Sequence, residues 1–148
     1  MRFISHRGNI SGSKPERENS PEYIQQALNL GLDVEVDVWL IDNKVFLGHD
    51  EPQYQIDLGY LKNKKFWCHA KNPEALDIML NNKIHCFWHD QDKFTLTSNG
   101  IPWCYPNNYV RAGVAVLQDT TLNCESFACS EMARGLFGVC SDHIYNND

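Results

Sequence analysis

Val34-Glu35-Val36-Asp37-Val38-Trp39-Leu40-Ile41, the turn-like Asp42-Asn43-Lys44, and the returning Val45-Phe46-Leu47-Gly48-His49 decide how this chain is read. Through Val38 the first run alternates apolar and acidic side chains with a period of two, as in a strand whose successive residues face opposite sides of a sheet. Asp42-Asn43-Lys44 has turn composition and the second run is again strand-like, so the segment predicts a β-hairpin. A loop over 42–44 pairs residue 41 with residue 45 and places Asp37 opposite His49, with Glu35 two residues away on the same face. A shift of one residue would undo that pairing.

Outward from the hairpin, strand-like and helix-like segments alternate. Residues 2–6 read as a short buried strand and residues 9–19 as a polar loop. Ser20-Pro21-Glu22 combines a capping residue, a proline for the first helical position and an acid for the first turn; Ile24, Ala27 and Leu28 follow at helical spacing and Gly31 can end the helix. Phe66–Lys71 reads as a strand, and Asn72-Pro73-Glu74 opens a second helix carrying Leu76, Met79 and Leu80. Further strands are expected at Ile84–His89, Ile101–Tyr105, Gly113–Leu117 and Phe137–Ser141, with a helix over 124–134, a polar connection over 91–99 and a frayed tail at 146–148. This alternation predicts a mainly parallel α/β sheet in a single domain over 1–148.

The 148 residues are 43% hydrophobic and 22% charged, with a formal charge of −6 and no basic run longer than Lys64-Lys65. That argues against a general nucleic-acid or anionic-membrane surface, so neither partner is expected. A phosphate-bearing small molecule stays compatible, because a bound divalent cation reverses the local sign. The N-terminus lacks the apolar region of a signal peptide, and no apolar run approaches the roughly 20 residues that span a bilayer. A cytoplasmic protein is therefore expected. None of the six cysteines forms a CxxC pair, which favours free buried thiols over a structural zinc site or disulfides.

Two carboxylates at i and i+2 of one strand repel each other unless something positive lies between them, and oxygen ligands suit Mg²⁺ or Ca²⁺. A solvent-facing strand edge would show the same alternation. His6-Arg7 at a strand end offers a proton and a bidentate fork for a phosphate, yet singly it reads as an ordinary loop entry. His49-Asp50 is equally ordinary alone. His89-Asp90 and Asp92 follow another strand, where a polar strand exit is the plainer reading. Trp67, Trp88, Trp103 and Tyr105 could form a substrate platform, although aromatic strand residues more often build core.

In order, His6-Arg7-Gly8, Glu18-Asn19-Ser20 before a helix, Glu35-x-Asp37 on a strand and His49-Asp50 after the return strand resemble the glycerophosphodiester phosphodiesterase family, within the phosphatidylinositol-phospholipase-C-like barrels. The likeness covers residues 4–50, about a third of the chain. It implies His6 and His49 as an acid–base pair, Arg7 on the phosphate, Glu35 and Asp37 on one divalent cation, and Glu18 and Asp50 in support. The family's Glu-x-Lys strand looks matched by His69-Ala70-Lys71. Lys71 would face the phosphate, and His69 would replace a carboxylate ligand, which adds Mn²⁺ or Zn²⁺ to Mg²⁺ and Ca²⁺ as candidates.

The resemblance implies metal-dependent hydrolysis of a small phosphodiester in an (α/β)₈ barrel. This chain is short for that fold, so a trimmed TIM-like barrel is expected, with some helices shortened or missing and strand flanks that a homodimer partner could cover. A binding module that keeps the pocket without turnover is the alternative, motivated by His69 and the missing helices. The retained histidines, acids, Arg7 and Lys71 favour catalysis.

Overall fold

The computed structural model describes residues 1–118 and 122–145. The frayed tail expected at 146–148 lies outside them. In chain order the elements are β1 (Arg2–His6), α1 (Pro21–Asn29), β2 (Asp33–Ile41), β3 (Lys44–Leu47), β4 (Tyr54–Ile56), β5 (Phe66–Ala70), α2 (Pro73–Asn81), β6 (Cys86–Phe87), β7 (Phe94–Leu96), β8 (Pro102–Cys104), β9 (Val114–Val116), α3 (Cys124–Ala128) and β10 (Gly138–Ser141). Short 3₁₀ turns occupy Leu58–Lys62 and Glu131–Ala133. The helix expected over 124–134 is thus a five-residue helix and a separate turn, and the 91–99 connection contains β7.

The helix starts follow the local chemistry. Ser20 accepts a hydrogen bond from the Tyr23 amide with Pro21 at the first helical position, and Asn72 does the same for the Ala75 amide ahead of Pro73. Asn72 also clamps β2, accepting from the Leu40 amide at 3.1 Å and donating to the Leu40 carbonyl at 2.9 Å.

One mixed sheet carries all ten strands. Parallel ladders join β1 to β2 and β10, β2 to β5, β5 to β6, β10 to β9 and β9 to β8. Antiparallel ladders add β3 to β2, β4 to β3 and β7 to β8. The expected trimmed TIM-like barrel is not the fold. Such a barrel follows each strand with a helix, whereas the described residues hold three short α-helices, of nine, nine and five residues. The β3–β4 hairpin fills the passage from β2 towards β5, β7 fills that from β6 to β8, and a loop joins β8 to β9. Among the described residues no ladder joins β6 to β8.

The sheet nevertheless curls. Five strand steps separate β5 from β8, about 24 Å if flat at ~4.8 Å per strand, yet the Trp67 and Trp103 rings are 5.7 Å apart. Val34, Val36 and Val38 of β2 pack with Ile24, Ala27, Ala75 and Met79 in the larger apolar cluster. Ile4, Trp67, Phe87, Trp103, Val114 and Cys140 form a second cluster. The period-two pattern therefore places Asp33, Glu35 and Asp37 on the face of β2 away from its valines.

The hairpin register differs from the expectation by one residue. Asp42 and Asn43 have φ of 48° and 61°, the positive pair of a two-residue type I′ turn, and Ile41 pairs with Lys44. Asp37 is consequently opposite Gly48, whose amide donates to the Asp37 carbonyl at 3.1 Å. All six cysteines are free, and Cys129 alone is exposed.

Candidate functional site

Sheet register assembles the charged residues. His6 at the end of β1 pairs with Glu35 on β2, and Asp37 pairs with His69 on β5. Glu35 and Asp37 are 3% and 0% exposed. Ligand-capable atoms of Glu35, Asp37 and His69 all lie within 4.8 Å of one another, so this group could hold a metal ion.

Three features fit that use. Glu35 Oε2 and Asp37 Oδ1 are buried and accept no hydrogen bond, a costly state for carboxylate oxygens. His69 Nε2 lies 2.9 Å from the His89 carbonyl, which can only accept, so Nε2 carries the proton. Nδ1 then faces Asp37 Oδ1 at 3.2 Å and Glu35 Oε1 at 3.7 Å. A neutral Nδ1 lone pair pointing at two carboxylates is repulsive; the contact becomes favourable when that nitrogen is protonated or ligates a cation, with the carbonyl bond in the supporting position usual for ligand histidines.

The charge count points the same way. Glu18, Glu35, Asp37 and Asp142 share one contact network with the permanent cations Arg7 and Lys71. With all four carboxylates ionised two positive charges are missing, which protonated histidines, a proton on Glu35 or one divalent cation can supply.

Arg7 has φ of 56°, a strained conformation for a residue other than glycine. Its Nε lies 3.0 Å from Asp37 Oδ2 as an ion pair without hydrogen-bond alignment, and its Nη1 donates to Glu18 Oε2 at 3.1 Å. Glu18 also accepts from Asn9 at 2.8 Å and Ser13 at 2.7 Å, so it anchors the first loop. Lys71 Nζ is 3.6 Å from Asp37 Oδ1. His49 sits at the rim, its side chain 40% exposed and its Nδ1 2.7 Å from Asp50 Oδ1. Asp50 is 92% exposed at its side chain, so it orients His49 only weakly. Gly48, with φ of 153°, brings the chain against the Glu51 carbonyl where a Cβ would collide, and this bend delivers His49 to the cleft. His6, Arg7, Glu35, His49, His69 and Lys71 line one cleft of about 410 Å³.

Electrostatics separate the carboxyls and the histidines. Burial works against the charge on Asp37, but His69, Arg7 and Lys71 outweigh it and hold its carboxyl far below the usual range. Burial and the Asp37 charge push Glu35 up. For His6, burial opposes the imidazolium, yet the Asp142 hydrogen bond and the Glu35 charge prevail and raise it. Burial and the Arg7 charge lower His49.

Three contributors escaped the sequence reading. Asp142, just after β10, lies 2.8 Å from His6 Nδ1 and accepts from Asn9 at 2.8 Å. Asn19, fully buried with φ of 62°, accepts from the Asp37 amide at 2.9 Å and donates to Asp37 Oδ2 at 2.8 Å. Asn9 ties Glu18 to Asp142. Asp142 had one local signal, a carboxylate directly after a buried strand. Comparison with protein-family models, curated proteins and solved structures found no match to this chain, so the functional reading rests on the chemistry of these residues.

Proposed function

We propose that this chain is a metal-dependent phosphodiesterase acting on a small, glycerophosphodiester-like substrate. One observation carries the reading: ligand-capable atoms of Glu35, Asp37 and His69 lie within 4.8 Å of one another, beside a cleft lined by two further site histidines, His6 and His49, and the cations Arg7 and Lys71. Glu35, Asp37 and His69 would hold the cation, and their mixed oxygen and nitrogen set suits Mn²⁺ or Zn²⁺ as well as Mg²⁺. When bound, it would offset charge on the non-bridging phosphate oxygens.

The chain's own groups account for the rest. Arg7 and Lys71 reach the same cleft and bind the phosphate. Asp142 holds His6 through Nδ1, stabilises its imidazolium and leaves Nε2, 3.9 Å from Glu35 Oε2, on the inner side. His49, at the open rim, takes the proton of the attacking water or neighbouring substrate hydroxyl as its oxygen bonds phosphorus. His6 protonates the alkoxide oxygen whose bond to phosphorus breaks, leaving a phosphomonoester or a cyclic phosphate and an alcohol. Each proton transfer is worth roughly 10²–10⁴-fold.

The test is hydrolysis of bis(p-nitrophenyl) phosphate and glycerophosphocholine by metal-stripped protein with Mg²⁺, Ca²⁺, Mn²⁺ or Zn²⁺ restored, beside His6→Ala and His49→Ala. Metal-dependent turnover that falls by about 100-fold or more in both variants is expected. Folded protein that binds the cation but turns over neither substrate would refute the enzyme reading in favour of a binding module.

A further inference from the structure

The cleft has a second half with different chemistry. His69, at the charged end, stacks on Phe87 with ring centroids 5.1 Å apart and planes 6° from parallel. Phe87 stacks in turn on Trp103 at 4.6 Å and 26°. These buried rings form a continuous floor leading away from the carboxylates. His89 and Tyr105 line the same cleft, their rings 5.4 Å apart.

Two features of this rim are unexplained by the fold. Tyr105, which lines the cleft beside His89, is 46% exposed. Neither ring nitrogen of His89 has a hydrogen-bond partner, and both are shielded from water. The His89 backbone carbonyl holds His69 and its ring touches Tyr105, but its ring nitrogens bond nothing. A buried polar pair without partners costs stability and marks a place where a ligand group can complete the bonding. Apolar walls with a few convergent polar atoms are the usual make-up of a small-molecule subsite.

We propose that the half of the cleft lined by Phe87, His89, Trp103 and Tyr105 seats a planar ring with a polar edge in the second arm of the substrate. Tyr105 stacks on the ring face, and His89 bonds a polar atom on its edge. This rests on the charged half being the phosphate site and narrows the substrate to a phosphate ester of an aryl or nitrogen-heterocyclic arm. A plain polyol arm would leave the aromatic rim unused, and a choline arm, although its ammonium can sit on aromatic faces, offers nothing to the His89 nitrogens.

Binding separates this inference from catalysis. Ethyl phosphate, phenyl phosphate and p-nitrophenyl phosphate share a head group and differ in the arm. Each would be titrated calorimetrically into Mn²⁺-loaded wild type, Tyr105→Leu and His89→Leu, with folding checked by circular dichroism. Wild type should bind phenyl phosphate at least about five-fold more tightly than ethyl phosphate, the low end of stacking on an aromatic side chain. Tyr105→Leu should erase most of that ratio, and His89→Leu should erase the further preference for the p-nitro ring. Equal binding of the ethyl and phenyl esters, or a ratio unchanged in both variants, would overturn the proposal even if the protein hydrolyses diesters. A ring preference lost in Tyr105→Leu in a protein without turnover would uphold it while the hydrolase reading fails.

Discussion

Replacing Glu35 with Gln is expected to stabilise the metal-free protein and to abolish its response to cations. The carboxylate is 3% exposed, Oε2 accepts no hydrogen bond, and Asp37 lies beside it. Its compensation is two imidazole contacts, at 3.7 and 3.9 Å. Gln keeps the shape, removes the charge and offers an N–H towards Asp37. Relieving an unsatisfied buried acceptor is worth about 1–3 kcal/mol, and the lost histidine contacts return part of it, leaving a net gain of about 1–2 kcal/mol. For a domain of this size that raises Tm by roughly 3–8 °C. The sign against pH follows from the raised Glu35 pKa. The native state resists ionising this group, so the penalty is full above its folded pKa and disappears as pH falls below the unfolded value of about 4.3. The gain should therefore be present at neutral and alkaline pH and shrink in acid. Wild type should be stabilised by about 2.7 kcal/mol at a cation concentration 100 times Kd, and Glu35→Gln by little. Thermal melts at alkaline pH with and without Mn²⁺ give both readings. A lower metal-free Tm in Glu35→Gln, or the same Mn²⁺ shift as wild type, would refute the argument that this carboxylate is kept for a cation.

Asp142→Asn should fold normally and lose about 10–100-fold in kcat, the usual effect of removing a partner that orients a functional histidine; initial-rate kinetics with bis(p-nitrophenyl) phosphate check it. Asn19→Ala removes two buried hydrogen bonds to Asp37 and places alanine at φ of 62°, so urea denaturation should show a loss of about 3–5 kcal/mol. Glu18 is buried, which alone would raise its pKa, but hydrogen bonds from Asn9, Ser13 and Arg7 lower it. The stability it adds is thus present above its unfolded pKa of about 4.3 and lost as pH falls through the depressed folded value. Wild type and Glu18→Gln should accordingly differ by about 1–2 kcal/mol near neutrality and converge in acid, as followed by urea melts across pH.

Much of the site was legible because its signals are local. Glu35 and Asp37 share a face through the period of two, and Ser20-Pro21 and Asn72-Pro73 announce their helices by capping chemistry. His6 and Lys71 fall at the ends of strands that apolar runs mark out. The hairpin register differs from the expectation because turn composition over 42–44 leaves the loop length open, whereas Asp42 and Asn43 both adopt positive φ and close the turn in two residues. The barrel expectation, drawn from the resemblance over residues 4–50 and already allowing for missing helices, fails because the connections also hold hairpin strands, β3 and β4 after β2 and β7 before β8, which turn the sheet mixed.

The sequence by itself determined where most of the strands lie, β4 and β7 excepted, where two helices begin and which side chains of β2 share a face, since each depends on neighbours a few positions away. Only the tertiary structure decided that Asp37 lies beside His69, that Asp142 reaches His6 across 136 positions, and that Phe87 stacks on Trp103. Those contacts depend on register between distant strands and on the curl of the sheet, which are settled by packing the whole chain and leave no local period to read.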